Sequence, residues 1–175
     1  MLFTSHFLYD NDLYFAQVNL KVVKLLQLSL IAYMLSTMNI VVIDTNVFVA
    51  GLRSGGGASR EIIRLALTGK IKPIFGNALW LEYEDLLGRD VWTDVTSDDE
   101  RRQVLSALIK MGRWVTVYYG WRPNLPDEAD NHLVELAIAG GADAIITYNI
   151  RDIGRGELIN PIKVQTPADY LEALQ

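Results

Sequence analysis

The sequence predicts one α/β domain over residues 38–175, a three-layer α/β/α arrangement around a central parallel sheet of four to five strands. Three observations predict it. Short apolar runs recur at Ile40–Ile43, Ile71–Phe75, Trp114–Tyr118, Ala142–Thr147 and Ile162–Gln165. Helical patterns lie between most of them, and strands alternating with helices imply a parallel sheet covered on both faces. The composition is that of a globular chain, 50% hydrophobic and 21% charged over 175 residues, with room for one substantial core.

Ile40–Ile43 (IVVI) is a continuous apolar run, as expected of a central strand buried on both faces. The Gly-rich stretch Ser54–Gly57 reads as a loop leading into a helix over Ser59–Thr68; no Gly-Lys-Ser/Thr follows it, so it is not a phosphate-binding P-loop. Ile71–Phe75 is the second strand, followed by a helix over Asn77–Leu87. Ser97-Asp-Asp-Glu100 has the form of a capping box and opens a helix running to Met111. Trp114–Tyr118 (WVTVY) is the third strand. A helix then spans Glu128–Gly140, closed by the Gly140-Gly141 pair. Ala142–Thr147 and Ile162–Gln165 supply the fourth and fifth strands, and Thr166-Pro167 gives an N-cap and first-turn proline for a last helix reaching Leu174.

The first 37 residues differ from the rest. Leu25–Leu35 is apolar and follows Lys21 and Lys24, but it is too short to span a bilayer and lacks a clear small-residue cleavage site. Met34 and Met38 both offer alternative starts. The segment reads as an over-called start or dispensable extension; an added amphipathic helix and a membrane or export signal are the alternatives. The domain itself is expected to be cytoplasmic and free of the membrane.

Composition narrows the chemistry. The absence of cysteine excludes disulfides and thiolate metal sites, and two histidines, His6 and His132, are too few for a histidine-rich zinc site. Any metal must be held by oxygen, which points to Mg²⁺ or Mn²⁺. The formal net charge is −5; of 16 basic and 21 acidic residues, 14 and 19 fall from Met38 onward. A module that binds nucleic acid by bulk charge reads as basic, so this balance counts against one. It counts less against a nuclease, whose acids a metal neutralises.

Three acids have separate positional reasons to be singled out. Asp44 directly follows the first strand, and ligands in open α/β sheets bind beyond the carboxyl ends of strands; capping the Asp-Thr-Asn turn is the competing role. Asp130 heads the face formed with Leu133, Val134 and Ala137 and so points inward, where a carboxylate needs a metal, a cation or several donors. Stabilising the positive end of its own helix is the alternative. Glu128, His132 and Glu135 are expected to face away from that side, toward solvent. On the Asn77–Leu87 helix, Glu82 borders the apolar stripe of Leu79, Tyr83 and Leu86, while Glu84 and Asp85 project further from it. Thr147-Tyr-Asn149-Ile-Arg-Asp152 follows the fourth strand and brings polar groups to the same sheet edge. Asn149 can bind through its amide oxygen or position a carboxylate or water; Asp152 either contacts metal or caps a turn. Converging acids of this kind make a hard-oxygen site suited to Mg²⁺ or Mn²⁺, and phosphodiester hydrolysis is the chemistry it serves best.

These motifs resemble the PIN-domain family. Met38-Asn-Ile-Val-Val-Ile-Asp-Thr-Asn-Val-Phe-Val-Ala50 is similar to its opening; Leu81–Leu87, Asp127–Asn131 with Leu133–Ala137, and Thr147–Asp152 are similar to its later acidic motifs, in the same order. Within the family the pattern is closest to the VapC-like toxins of toxin–antitoxin pairs. The resemblance implies a PIN-like fold and a Mg²⁺- or Mn²⁺-dependent endoribonuclease acting on RNA, often homodimeric and inhibited by a cognate antitoxin. It makes Asp44, Glu82 and Asp130 the catalytic, metal-binding acids, with Asn149 and Asp152 as further metal contacts. Thr45, Asn46 and Thr147 become supporting residues, the two threonines holding acids or water by hydrogen bonds. Many members carry an acid where this chain has Asn149, which leaves one or two ions open. A catalytically silent RNA- or protein-binding module is the alternative. A phosphatase using Asp44 as nucleophile is disfavoured, because Asp44-Thr-Asn46 lacks the second acid of an Asp-x-Asp pair. Trp80, Trp92, Trp114 and Trp121 are expected in packing rather than base stacking. Arg53, Arg89, Arg151 and Arg155 are surface charges that can also reach phosphate.

Overall fold

The computed structural model describes residues 17–30, 38–92, 96–120, 125, 130–153 and 162–174. The chain divides into two compact units, Met1–Met38 and Asn39–Gln175. In the first, residues 17–30 form helix α1, whose valines and leucines, from Val18 to Leu30, are exposed. No helix among the described residues is long and apolar enough to cross a membrane.

The second unit is built on five parallel strands: β1 (Ile40–Ile43), β2 (Lys72–Phe75), β3 (Arg113–Trp114), β4 (Ala144–Ile146) and β5 (Lys163–Gln165). Their order in the sheet is β3-β2-β1-β4-β5. Val41 pairs with Pro73 on one side and with Ala144 on the other, so β1 is central. Its residues Val41, Val42 and Ile43 are buried, as the unbroken apolar run requires. The chain runs outward from β1 through β2 to β3, then returns across the sheet to β4 and β5. The reversal lies between β1 and β4, which makes the crevice beyond their carboxyl ends the topological switch point.

Helices flank this sheet. α2 (Thr45–Arg53), α3 (Ala58–Leu67), α4 (Asn77–Leu87), α5 (Asp98–Met111), α6 (Asn131–Gly140), α7 (Ile150–Ile153) and α8 (Pro167–Ala173) follow in order. α6 packs on β1, β2 and β4, α5 on β2 and β3, and α2 against α3 and α4. The expected starts and stops are present: Ser97 and Glu100 form a reciprocal capping box, Thr166 caps α8 ahead of Pro167, and Gly141 closes α6 with φ 60°. Gly112 allows a close approach, since a Cβ there would stand 2.8 Å from the Pro73 carbonyl oxygen and 2.7 Å from the Phe75 ring.

Three elements differ from expectation. α2 starts directly after Asp44, where a turn and loop were expected; Thr45-Asn-Val-Phe-Val-Ala-Gly is a poor intrinsic helix, and burial of Val47 and Phe48 holds it. The third strand is cut to Arg113–Trp114. It lies at the sheet edge, and its only neighbour, β2, ends at Phe75 before Gly76 turns into α4. After the bond from Val115 N to Phe75 O at 2.7 Å, no ladder partner remains among the described residues. α7 forms a single turn within what read as a loop. The expected helix start at Glu128 lies outside the described residues.

Candidate metal centre

The switch point gathers its polar groups from four elements. Asp44 is the residue between β1 and α2, and its backbone N–H donates to Ile146 O at 3.0 Å, locking the end of β1 to the end of β4. Its side chain caps α2, Oδ1 accepting from Asn46 N at 3.3 Å. The turn role and inward placement therefore coexist: Asp44 is only 6% exposed. Its Oδ2 accepts from Thr147 Oγ1 at 2.6 Å and Asn46 Nδ2 at 2.7 Å.

Glu82 joins from α4. Its Oε1 accepts from Thr45 Oγ1 at 2.6 Å, and the same hydroxyl lies 3.3 Å from Asp44 Oδ1. A hydroxyl carries one proton, so the shorter contact is the bond and the longer one a near approach. Thr147 extends the network on the other side, its Oγ1 accepting from Asn149 N at 2.9 Å. Asn149 Nδ2 donates to Asp130 Oδ2 at 2.7 Å. Asp130 immediately precedes α6 and its side chain makes no cap bond to that helix; as the N-cap residue it still sits at the positive end of the helix. Asp44, Glu82, Asp130 and Asn149 are thus joined by Thr45, Thr147 and Asn46. Asp152, half-buried in α7, takes part in none of these bonds.

His132 was expected on the surface and is instead part of the site. Its side chain is 14% exposed and its Nε2 stands 3.0 Å from Glu82 Oε2. The contact acts as an ion pair when the ring is protonated. Glu135 is also buried rather than solvated. Both misplacements have one cause: α6 is buried around most of its circumference, including Asn131, Leu133, Val134, Glu135, Leu136 and Ala137, so the assumption of one solvated face fails. The surplus of polar residues on a helix this apolar was the available signal.

The two acids nearest the sheet titrate in opposite directions. Burial pushes the Asp44 carboxyl above its ordinary range; the bonds from Thr147 and Asn46 and the nearby Thr45 hydroxyl oppose that, and the Glu82 charge adds to it. Glu82 is held below its ordinary range, first by His132 and then by Thr45, against the opposing effect of burial. Among the described residues, every partner of the buried Asp44 carboxylate is neutral.

Among the described residues, no three acids or histidines already converge at ligating distance. The donor set nevertheless fits a hard divalent cation. It consists of carboxylate, hydroxyl and amide oxygens, and its innermost carboxylate is buried with no positive charge to offset the loss of water. The tryptophans pack as expected where described: Trp80 meets Trp114 edge-on at 6.4 Å, and Trp92 lies against Phe48 and beneath Arg101. Arg89 pairs with Asp85, while Arg53 and Arg151 are exposed. Trp121 and Arg155 lie outside the described residues.

Comparison with known families matches residues 40–151, well over half of the chain, to the PIN domain. No curated protein matches. Among solved structures, the chain is similar to one in the crystal structure of VapBC2 from Rickettsia felis bound to a DNA fragment from their promoter. The TM-score is 0.51 at 11% identity, over 73% of this chain and 98% of that one. At that identity the likeness is one of fold.

Proposed function

Because this chain belongs to the PIN-domain family, whose members are typically nucleases, we propose that it is a Mg²⁺- or Mn²⁺-dependent endoribonuclease and the toxin of a toxin–antitoxin pair. The observation that carries the reading is Asp44: a carboxylate buried at the switch point, bonded among the described residues only to neutral donors, with Glu82 linked to it through Thr45. Neutral donors satisfy part of its charge, and a bound cation would offset the rest of the cost of its burial. Asp44, Glu82 and Asp130 would hold it, and Asn149 either contributes its amide oxygen or aims Asp130. When bound, such an ion lowers the pKa of water and stabilises the charge that develops at phosphorus.

The chain's own residues do the rest. Thr147 and Asn46 fix both the rotamer and the ionised form of Asp44. Thr45 and His132 hold the two oxygens of Glu82, and the lowered pKa keeps that carboxylate charged and ready to hold a cation near neutrality. Asn149 replaces what would be a fourth negative charge with an amide that donates to Asp130, which reduces like-charge repulsion. An antitoxin partner and a homodimer belong to the same proposal; the fold likeness to a VapBC pair supports the first.

The bond from Asn149 to Asp130 also favours a second reading, a silent module, since it occupies a lone pair that an ion needs. Calorimetric titration with Mn²⁺ separates them. Binding that Asp44→Asn abolishes supports the nuclease; no binding by the parent chain supports the silent module.

A further inference from the structure

We propose that a cleft beside the acid cluster receives one base of the RNA; this rests on the ribonuclease reading and names where that substrate is gripped. The cleft has a volume of about 240 Å³, and Asn77, Tyr118, Tyr119, His132, Glu135 and Leu136 line it. Pockets for drug-sized ligands run to roughly 300–1,000 Å³, so this one suits a single ring system. His132 is common to both sites: the residue that lines the cleft also places its Nε2 3.0 Å from Glu82 Oε2. A base seated here belongs to a nucleotide next to the phosphate at the acids.

The walls decide in favour of a base over a phosphate. Tyr118 and Tyr119 are 83% and 78% exposed, two adjacent aromatic faces left in water. They are there because β3 ends at Trp114, and residues 115–120 continue without a ladder. Exposed aromatic faces are the usual platform for unpaired bases. Glu135 also lines the cleft, and its carboxylate repels phosphate and accepts from base N–H groups. A Cβ on Gly120 would lie 3.2 Å from Glu135 Oε1, so the bare backbone at 120 makes room for that oxygen at the wall. Guanine presents N1–H and N2–H side by side as donors for a carboxylate wall, whereas uracil presents one N–H, so guanine is the base the cleft suits best.

The test uses the full chain with Mn²⁺ and 2′-O-methyl RNA heptamers differing at one base, read by fluorescence anisotropy and checked afterwards for intactness. The guanine heptamer binds more tightly than the uracil one. Tyr118→Ala and Tyr119→Ala each weaken binding by roughly 5-fold or more, the scale of one lost stacking contact, and leave calorimetric Mn²⁺ affinity unchanged. Glu135→Gln, an isosteric change, removes the preference for guanine. Parent-like affinity in both tyrosine variants, with the base ranking kept in Glu135→Gln, overturns the assignment and leaves the ribonuclease reading standing. Base-selective binding without any cleavage of unmodified RNA supports the cleft and sinks the ribonuclease reading instead.

Discussion

Thr147 does two things at once: its hydroxyl donates to Asp44 Oδ2 at 2.6 Å and accepts from the Asn149 backbone at 2.9 Å. Thr147→Val keeps the shape and removes both bonds, leaving a buried carboxylate one donor short. Stability should fall by about 1–3 kcal/mol in denaturant titrations, and Mn²⁺ affinity by roughly 10- to 100-fold, as for other outer partners of metal ligands. His132→Ala tests the other acid. The folded pKa of Glu82 lies below its ordinary 4.5, so its contribution to stability is present above that value and is lost as pH falls through the folded one. Removing its largest cause makes the loss of Tm on acidification below pH 4.5 shallower, measured without metal. Asp44, raised by burial, has the opposite sign and is present in both proteins, so the difference between the two curves isolates Glu82. A curve parallel to that of the parent would refute the His132–Glu82 coupling. At this scale Asp44, Glu82 and Thr147 were legible, because a strand end or the edge of an apolar stripe fixes where a side chain points. His132 was not, because its direction depends on α4 lying beside α6, which periodicity along one helix cannot show.

Local signals marked most element boundaries. The Asn77–Leu87 helix, the Ser97 capping box and the Thr166-Pro167 start are all where side-chain chemistry puts them. What escaped was set by neighbours: α2 exists through its burial, and β3 is short because its partner β2 ends at Phe75. Two substitutions separate these kinds of control. Ser97→Ala removes a cap and should cost about 1 kcal/mol, with Mn²⁺ affinity unchanged. Gly112→Ala drives a methyl group against the Pro73 carbonyl, which has no rotamer to escape into, and against the Phe75 ring. It should cost about 1–3 kcal/mol as overpacking. A Gly112→Ala variant as stable as the parent contradicts the close packing of α5 onto β2.

For the whole molecule, the order β3-β2-β1-β4-β5 matters most, because it puts the reversal of the chain between the strands that end at Asp44 and Thr147. Alternation of strands and helices was enough to foresee a parallel sheet; the pairing of β1 with β4, which creates the site, is a long-range fact. The net charge of −5 has a consequence at the same scale. RNA and an acidic protein repel, so on the proposed ribonuclease reading a bound cation would support substrate binding as well as chemistry, and both should fail on chelation. The most direct measurement is cleavage of RNA by the purified chain in Mn²⁺, with EDTA and Asp44→Asn as controls. Metal-dependent cleavage is expected, falling at least about 100-fold in Asp44→Asn, beyond the 10- to 100-fold typical of losing an outer partner, while its circular dichroism stays that of the parent. Equal rates in Asp44→Asn and parent, or cleavage undiminished by EDTA, would contradict a metal centre built on Asp44.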